Sequence, residues 1–372
     1  MKSKKLTASK RTVESDSGRG ITLRTLAEHL GLSRTTISMI LNDVPDATRF
    51  PEETRRRVVE SAKRLGYRPN YFARSLGRKR SYLIGVIAPD LGDGFEAALI
   101  SGFERRLLDT GYTSFVSNHF WSPSLLQRHI ENLRDRGVEG LLLIDSTPSE
   151  APGIPTVMIG TSRSPKWSTR VSIDNAFGIR ETIHHMASLG HKEIAFIKGL
   201  EGTGDMEDRW NAVLATCQDV GVRVDPRLTV QLERLDLIGM RHSEEGRIAM
   251  QKLLGRGRHF TALVAYNDIT ALGAMTVLRE AGLRIPEDVS VMGFDDIGFA
   301  SMAYPPLTTI RQPLRAMGAT AAEVLIRKIA KNETIENNSV RPELVVRSST
   351  CPPSLDRPKA SIRLKPKKPR SI

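Results

Sequence analysis

The chain has 372 residues, 40% of them hydrophobic and 26% charged, an ordinary globular balance with enough length for two or three separate cores. No apolar run reaches the roughly 18 residues a membrane helix needs, and Cys217 and Cys351 are too few for a disulfide framework or a zinc site. The net charge of +13 sits at the ends: residues 1–80 hold 19 Lys and Arg against 8 Asp and Glu, residues 355–372 hold 7 against 1, and the 274 residues between sum to −4.

Residues 1–20 read as a disordered basic tail and residues 21–67 as a small helical domain. In LRTLAEHLGLSRTTISMILN (23–42), Leu23, Leu26, Ala27 and Leu30 fall on one helical face, and Gly31 tolerates the positive φ of a turn. Ser33 can cap a second helix whose Ile37, Ile40 and Leu41 point back onto the first. Arg34, Thr35, Thr36 and Ser38 are left facing outward, as in a helix-turn-helix that presents residues to base edges. A plain surface hairpin would share the apolar pattern. The positive excess in the same 80 residues favours DNA, because phosphate neutralisation requires it. A third helix is expected from Pro51 to Leu65, with Phe50 as N-cap, Val58, Val59, Ala62 and Leu65 buried, and Gly66 ending it.

In RPNYFARSLGRKR (68–80), Pro69 stops the preceding structure and Asn70 can cap a two-turn helix too short to stand alone in water. Two readings fit. One is a basic linker; the other is a hinge that folds on DNA, with Leu76 as a minor-groove wedge and Arg74, Arg78, Lys79 and Arg80 at phosphates.

From Tyr82 onward, short apolar runs alternate with helical periods. YLIGVIAP (82–89), YTSFVSN (112–118), GLLLI (140–144), TVMIG (156–160), EIAFIKG (193–199), ALVAYND (262–268) and VSVMGFDD (289–296) read as buried strands. Helices are expected at 95–110, 124–136, 176–189, 207–220, 243–254 and 270–281. The alternation predicts doubly wound parallel sheets, and the strand count suits two α/β subdomains meeting near Asp174. Ligands of such sheets sit beyond the carboxyl ends of the strands. Asp90, Asn118, Asp145, Asn267, Asp268, Asp295 and Asp296 stand there, with Asp174 at the crossing and Arg209 heading a helix. Singly, each is a helix cap; together they suit a polyhydroxyl ligand or a polar ring.

Two other classes fit less well. For an enzyme, no GxGxxG, P-loop or GxSxG elbow follows a strand, and His184, His185 and His191 lack metal-ligand spacing with carboxylates. A secreted solute-binding protein would leave the helix-turn-helix unexplained, and MKSKKLTASKRTVESDSGRG has no apolar h-region.

Over about residues 20–352 the chain resembles the LacI/GalR family of bacterial transcriptional regulators. The markers are ITLRTLAEHLGLSRTTISMILN, LGYRPNYFARSL, SIDN (172–175), SLGHKEIAFIKG (188–199), YNDITALGAM (266–275), LRIPEDVSVMGFDD (283–296), PPLTTIRQPLRAMG (305–318) and VVRSST (345–350). The resemblance implies an N-terminal all-α helix-turn-helix domain and an α/β core of two doubly wound subdomains, like a type I periplasmic binding protein. The expected boundaries are a basic tail at 1–20, the helix-turn-helix at 21–67 and a hinge at 68–80. The core subdomains would be 81–175 with 308–332, and 176–307 with 333–352, before a second disordered basic tail at 353–372.

The implied activity is that of a cytoplasmic, nucleoid-associated regulator and not an enzyme. It would be a homodimeric repressor on a palindromic operator, controlled by a small-molecule effector, a sugar or related polyol, with a nucleobase as alternative. No cofactor, metal or membrane partner is implied. Residues expected at DNA are Thr22, Ser33, Arg34, Thr35, Thr36, Ser38, Met39, Asn42, Asn70, Tyr71, Ala73, Arg74 and Leu76; at the effector, Asp90, Phe95, Asn118, Asp174, Arg209, Asn267, Asp268 and Asp295. Three departures stand out. Met39 replaces a usual guanine-reading arginine and cannot donate a hydrogen bond. Trp210-Asn211-Ala212 breaks the family's Arg-x-x-Gly run, which bears on effector identity. The Lys-, Arg- and Pro-rich stretch 357–372 has no leucine heptad, so a dimer is expected rather than a tetramer.

Overall fold

The structure is a computed structural model that describes residues 21–42, 45–67, 80–92, 94–160, 165–202, 205–234, 242–257, 259–331 and 338–354. Residues 1–20, 68–79 and 355–372, with the tails and the hinge expected there, lie outside them. The chain forms two compact units, residues 1–81 and 82–372.

In the first unit, α1 (Leu23–Leu30) starts with a reciprocal cap: the Thr25 amide donates to Thr22 Oγ1 at 3.2 Å and the Thr22 amide to Thr25 Oγ1 at 2.9 Å. Gly31, at φ 65°, ends it. Ser33 Oγ then accepts the Thr36 amide at 3.0 Å and opens α2 (Arg34–Leu41). Leu26, Ala27, Ile37, Ile40, Val58 and Ala62 form the buried centre. The third helix, α3 (Glu52–Arg64), corrects two expectations. Its N-cap is Pro51 rather than Phe50, and proline offers no side-chain acceptor. Val59 is 51% exposed, because it lies a 100° step away from the stripe of Val58, Ser61 and Ala62.

The second unit holds two parallel sheets. The first has six strands in the order β11-β5-β4-β3-β1-β2: β1 (Leu83–Ala88), β2 (Thr113–Asn118), β3 (Gly140–Ile144), β4 (Thr156–Ile159), β5 (Thr169–Ile173) and β11 (Asn338–Val340). One face is covered by α4 (Phe95–Leu107) and α11 (Leu314–Lys331), through Leu99, Phe103, Ala321 and Leu325. The other is covered by α5 (Pro123–Asp135), through Leu126, Ile130 and Leu133. The second sheet runs β7-β6-β8-β9: β6 (Ile194–Lys198), β7 (Thr229–Gln231), β8 (Ala262–Ala265) and β9 (Ser290–Met292). Around it lie α6 (Asn175–Ser188), α7 (Met206–Asp219), α8 (His242–Gly255) and α9 (Asp268–Glu280), with a short α10 (Gly298–Met302) beyond β9. An antiparallel pair, β10 (Thr309–Arg311) with β12 (Glu343–Val345), lies where the chain crosses between the lobes.

Two further readings are corrected here. YTSFVSN is an edge strand rather than a buried one: Phe115 and Val116 are 45% and 40% exposed, and an apolar run does not say how many neighbours a strand has. Within 333–352, Asn338–Val340 joins the first sheet by pairing with β5, not the second lobe. Three residues are too few to show their partner in sequence.

The two helices on the first sheet meet backbone to backbone. A Cβ on Gly102 would lie 2.0 Å from the Arg315 carbonyl oxygen, and one on Gly318 2.0 Å from that of Leu99. No rotamer change relieves such a clash. Gly318→Ala and Gly102→Ala should each cost about 1–3 kcal/mol in urea denaturation, as overpacked cores do. Gly255→Ala, at a helical position with nothing within 4 Å, should lose no stability.

Candidate nucleic-acid interface and ligand cleft

The start of α2 presents Ser33, Arg34 and Thr35 exposed and Thr36, Ser38 and Met39 half-buried. Thr22 is exposed at the cap of α1, while Asn42 ends α2 with its amide donating to Ser38 Oγ at 3.1 Å. Arg49, which sequence reasoning passed over, donates to Met39 Sδ at 3.3 Å and brings a guanidinium to a helix position that lacks one. Asn70, Tyr71, Ala73, Arg74 and Leu76 lie outside the described residues.

Between the two lobes of the second unit is a cleft of about 770 Å³, part of it open to solvent. It lies at the carboxyl ends of both sheets, where parallel strands direct the first turns of their helices. The first lobe supplies Phe95 and Glu96 from the head of α4, Trp121 from the turn after β2, and Asp145 from the end of β3. Asp145 has φ 43°, and its Oδ1 fills the place where a Cβ on Gly160 would stand, at 1.9 Å. Gly160 therefore cannot carry a side chain. Trp121 follows Phe120, and both are in the left-handed region, at 59° and 47°.

The second lobe supplies Arg209 and Asp205 from the start of α7, Glu245 from α8, Tyr266 and Asn267 after β8, and Asp295 after β9. Arg209 is 6% exposed. Its Nε donates to Asn175 Oδ1 at 2.9 Å and Nη1 to the Tyr266 carbonyl at 3.0 Å, while Nη2 lies 3.7 Å from Asp295 Oδ1. The guanidinium also lies over the Phe294 ring at 3.9 Å and the Tyr266 ring at 4.8 Å. Burial works against its charge, but Tyr266, Asp295, Asp205 and Asp145 outweigh that and hold its pKa above the usual value. Burial, then Glu96 and Asp205, push the Asp145 carboxyl well above the carboxylate range, with Arg209 opposing. Burial likewise raises the Tyr266 phenol.

Of the eight residues expected at the effector, the cleft brings together Phe95, Arg209, Asn267 and Asp295. The other four do not line it, and the carboxylates among them have a local duty instead. Asp174 is exposed and accepts the Phe177 amide at 2.8 Å as the cap of α6. Asp90 accepts the Leu91 amide at 2.6 Å in a turn, and Asn118 ends the edge strand. Asp268 is wholly buried, accepting Thr309 Oγ1 at 2.5 Å and the Ile297 amide at 2.9 Å. Sequence reasoning missed Glu96, Trp121, Asp205, Glu245 and Tyr266 in the cleft, and Asn175 behind Arg209. Only Tyr266, beside Asn267 at the end of a predicted strand, carried a positional signal. Trp210 does not line the cleft: it packs edge-on to Phe196 at 5.9 Å beneath Lys198.

Across the cleft mouth, Arg234 of the second lobe lies 5.0 Å over the Trp121 ring and donates to its carbonyl at 3.3 Å. Beneath Trp121, His119 is 4% exposed; its Nε2 donates to Ser146 Oγ at 2.8 Å, while the Ser146 hydroxyl donates to the Ile144 carbonyl.

The family model for a periplasmic binding protein-like domain matches residues 183–350. The chain is 31% identical over 337 residues to the HTH-type transcriptional regulator RegA of Clostridium saccharobutylicum, covering 88% of this chain and 98% of RegA. The chain belongs to the LacI/GalR family of transcriptional regulators. Among solved structures, the Lac repressor dimer bound to operator and the anti-inducer ONPF matches at TM-score 0.79 and 25% identity, over 90% of this chain and all of that one. A complex of the regulator CelR with cellobiose matches at TM-score 0.66 and 26% identity, over 88% and 99%. Like these relatives, this LacI/GalR-family protein is a DNA-binding regulator rather than an enzyme. Among its described residues no helix is long and apolar enough to cross a membrane.

Burial, then the charges of His129 and Arg234, lower the His119 pKa from 6.5 to about 4. Between those values the unfolded chain binds the proton and the folded chain does not, so stability falls as pH drops from 6.5 to about 4. Relative to His119→Asn, the wild type should lose on the order of 3 kcal/mol at most across that window. Urea denaturation at pH 7, 6, 5 and 4 checks this; a difference that stays constant with pH would refute it.

Proposed function

We propose that this regulator is a repressor that binds a palindromic operator as a homodimer in the bacterial cytoplasm. Residues 21–67 and a hinge at 68–80 would make the DNA contact. A small neutral polyhydroxyl compound, a sugar or related polyol, held between the core lobes would set operator affinity.

The observation that carries the ligand reading is the pinned Arg209, with Asn267 and Asp295, facing Phe95 and Trp121 across the cleft. Aromatic faces suit the C–H surface of a sugar ring, and carboxylates accept from its hydroxyls. Among the described lining residues, Glu96, Asp205, Glu245 and Asp295 outnumber the one guanidinium, Arg209, whose Nε and Nη1 already donate to the protein. A phosphate ester or a sugar acid would meet like charge there. A neighbour solved with bound ribose also lends support, by kinship. For the homodimer, support comes from Leu108, Phe115 and Val116, exposed by 77%, 45% and 40% on the first lobe. A ligand touching both lobes favours one closure, and it shifts operator binding only by its differential affinity, typically about 1–3 kcal/mol.

Two experiments test the two ends. In a binding-site selection, Arg34→Ala should relax the preference at one base pair, with about 1–3 kcal/mol lost on the cognate site; an unchanged preference refutes that role. In a thermal-shift screen of neutral sugars, sugar acids, sugar phosphates and nucleobases, a neutral sugar should raise Tm. Arg209→Ala and Asp295→Ala should abolish the rise. Stabilisation that survives both substitutions places the site elsewhere, and stabilisation by a nucleobase alone overturns the sugar class.

A further inference from the structure

Asp295 is 5% exposed, lines the cleft and faces Arg209, yet three further bonds tie it to the segment that crosses between the lobes. Its carboxylate Oδ1 accepts Gln312 Nε2 at 2.6 Å, and its carbonyl accepts the Gln312 amide at 3.2 Å. Its own amide donates to the Ile310 carbonyl at 2.7 Å. Gln312, 4% exposed, is thus held twice by one residue. The Gln312 carbonyl accepts the Leu314 amide at 2.8 Å, at the first residue of α11. That helix cannot slide independently of α4, because Gly102 and Gly318 bring the two backbones together. The first residues of α4, Phe95 and Glu96, then face the same cleft from the opposite side. The contacts run from the cleft arginine through one carboxylate and one amide to a helix pair of the first lobe.

We infer that Gln312 is a positioning residue that transmits the state of Arg209 and Asp295 to the α11–α4 pair, and so to operator affinity. An amide suits the task. It donates to the carboxylate without adding a charge that would compete with Arg209, so the strength of its bond follows how firmly Arg209 holds that carboxylate. A merely structural Gln312 would instead lower stability and operator affinity by the same factor whatever stood at position 209. The inference rests on the proposed cleft control of DNA binding, but its test needs no ligand.

The test is a double-mutant cycle on operator Kd, using an operator selected with the wild-type protein and comparing wild type, Arg209→Gln, Gln312→Met and the double variant. Positions without direct contact act additively unless something between them couples them. Arg209→Gln should change operator Kd by about fivefold or more in the presence of Gln312. In the Gln312→Met background that change should shrink below about twofold. Gln312→Asn, whose shorter amide cannot reach, should reproduce the shrinkage and serves if the methionine variant folds poorly. Equal factors in both backgrounds overturn the inference, as does an Arg209→Gln protein with unaltered operator Kd. Failure of the sugar screen would sink the ligand class alone and leave the cycle readable.

Discussion

A guanidinium does not give up its charge at any ordinary pH, and Arg209 is buried between two lobes. An unpaired ion there would cost several kcal/mol, so its surroundings are obliged to answer it. Asn175 accepts from Nε, the Tyr266 carbonyl from Nη1, and Asp295 supplies the opposite charge. Those partners come from the start of α6, the end of β8 and the turn after β9, so one side chain fixes three elements of the second lobe. Asp295 meets the demand at φ 117°, a conformation that costs a non-glycine residue of order 1–3 kcal/mol. The strain persists because Arg209, Gln312 and Ile310 all hold that residue in place.

Acidic residues in and around the cleft meet different fates, and the partner decides each. Asp296 is bound by Arg311 at 2.7 Å and Arg347 at 2.6 Å, which joins the crossing strands to the second lobe by charge. Asp268 is answered by a hydroxyl and an amide rather than by a cation. Burial, followed by the nearby Asp295, drives its pKa well above the carboxylate range. Asp145 is raised by the same cause, burial, reinforced by Glu96 and Asp205.

How much of this was legible depends on the physics of each element. β1, β3, β4, β6 and β8 are buried on both faces, so their sequences are unbroken apolar runs and the reading found them. β5 reads TRVSI, with Arg170 and Ser172 half-buried, and its apolar signal is diluted. β7, β10, β11 and β12 have three residues each and are defined by their partners, which sequence does not name. In the cleft, Asp and Asn at the turn from strand to helix look alike whether they cap or bind. Asp174 caps, Asn267 caps α9 while also lining the cleft, and no local pattern separates the two. Glu96, Asp205 and Glu245 lie in or just ahead of the first turns of helices, where carboxylates are common because they suit the helix dipole. Their convergence is a property of the fold.

The charge distribution has a role beyond solubility. The first 80 residues carry a net +11, while residues 81–354 carry −4. At physiological ionic strength the field of a surface charge decays over about 8 Å, so each surface acts mainly on what it touches. The helix-turn-helix gains affinity from phosphates through counterion release, whereas the core gains none and is mildly repelled. An acidic core therefore discourages its own non-specific docking on DNA and leaves binding to the helix-turn-helix end. Carboxylates in the cleft extend that logic inward. Polyanions, the commonest competitors near nucleic acid, are disfavoured in a cleft whose described lining sets Glu96, Asp205, Glu245 and Asp295 beside one guanidinium, that of Arg209.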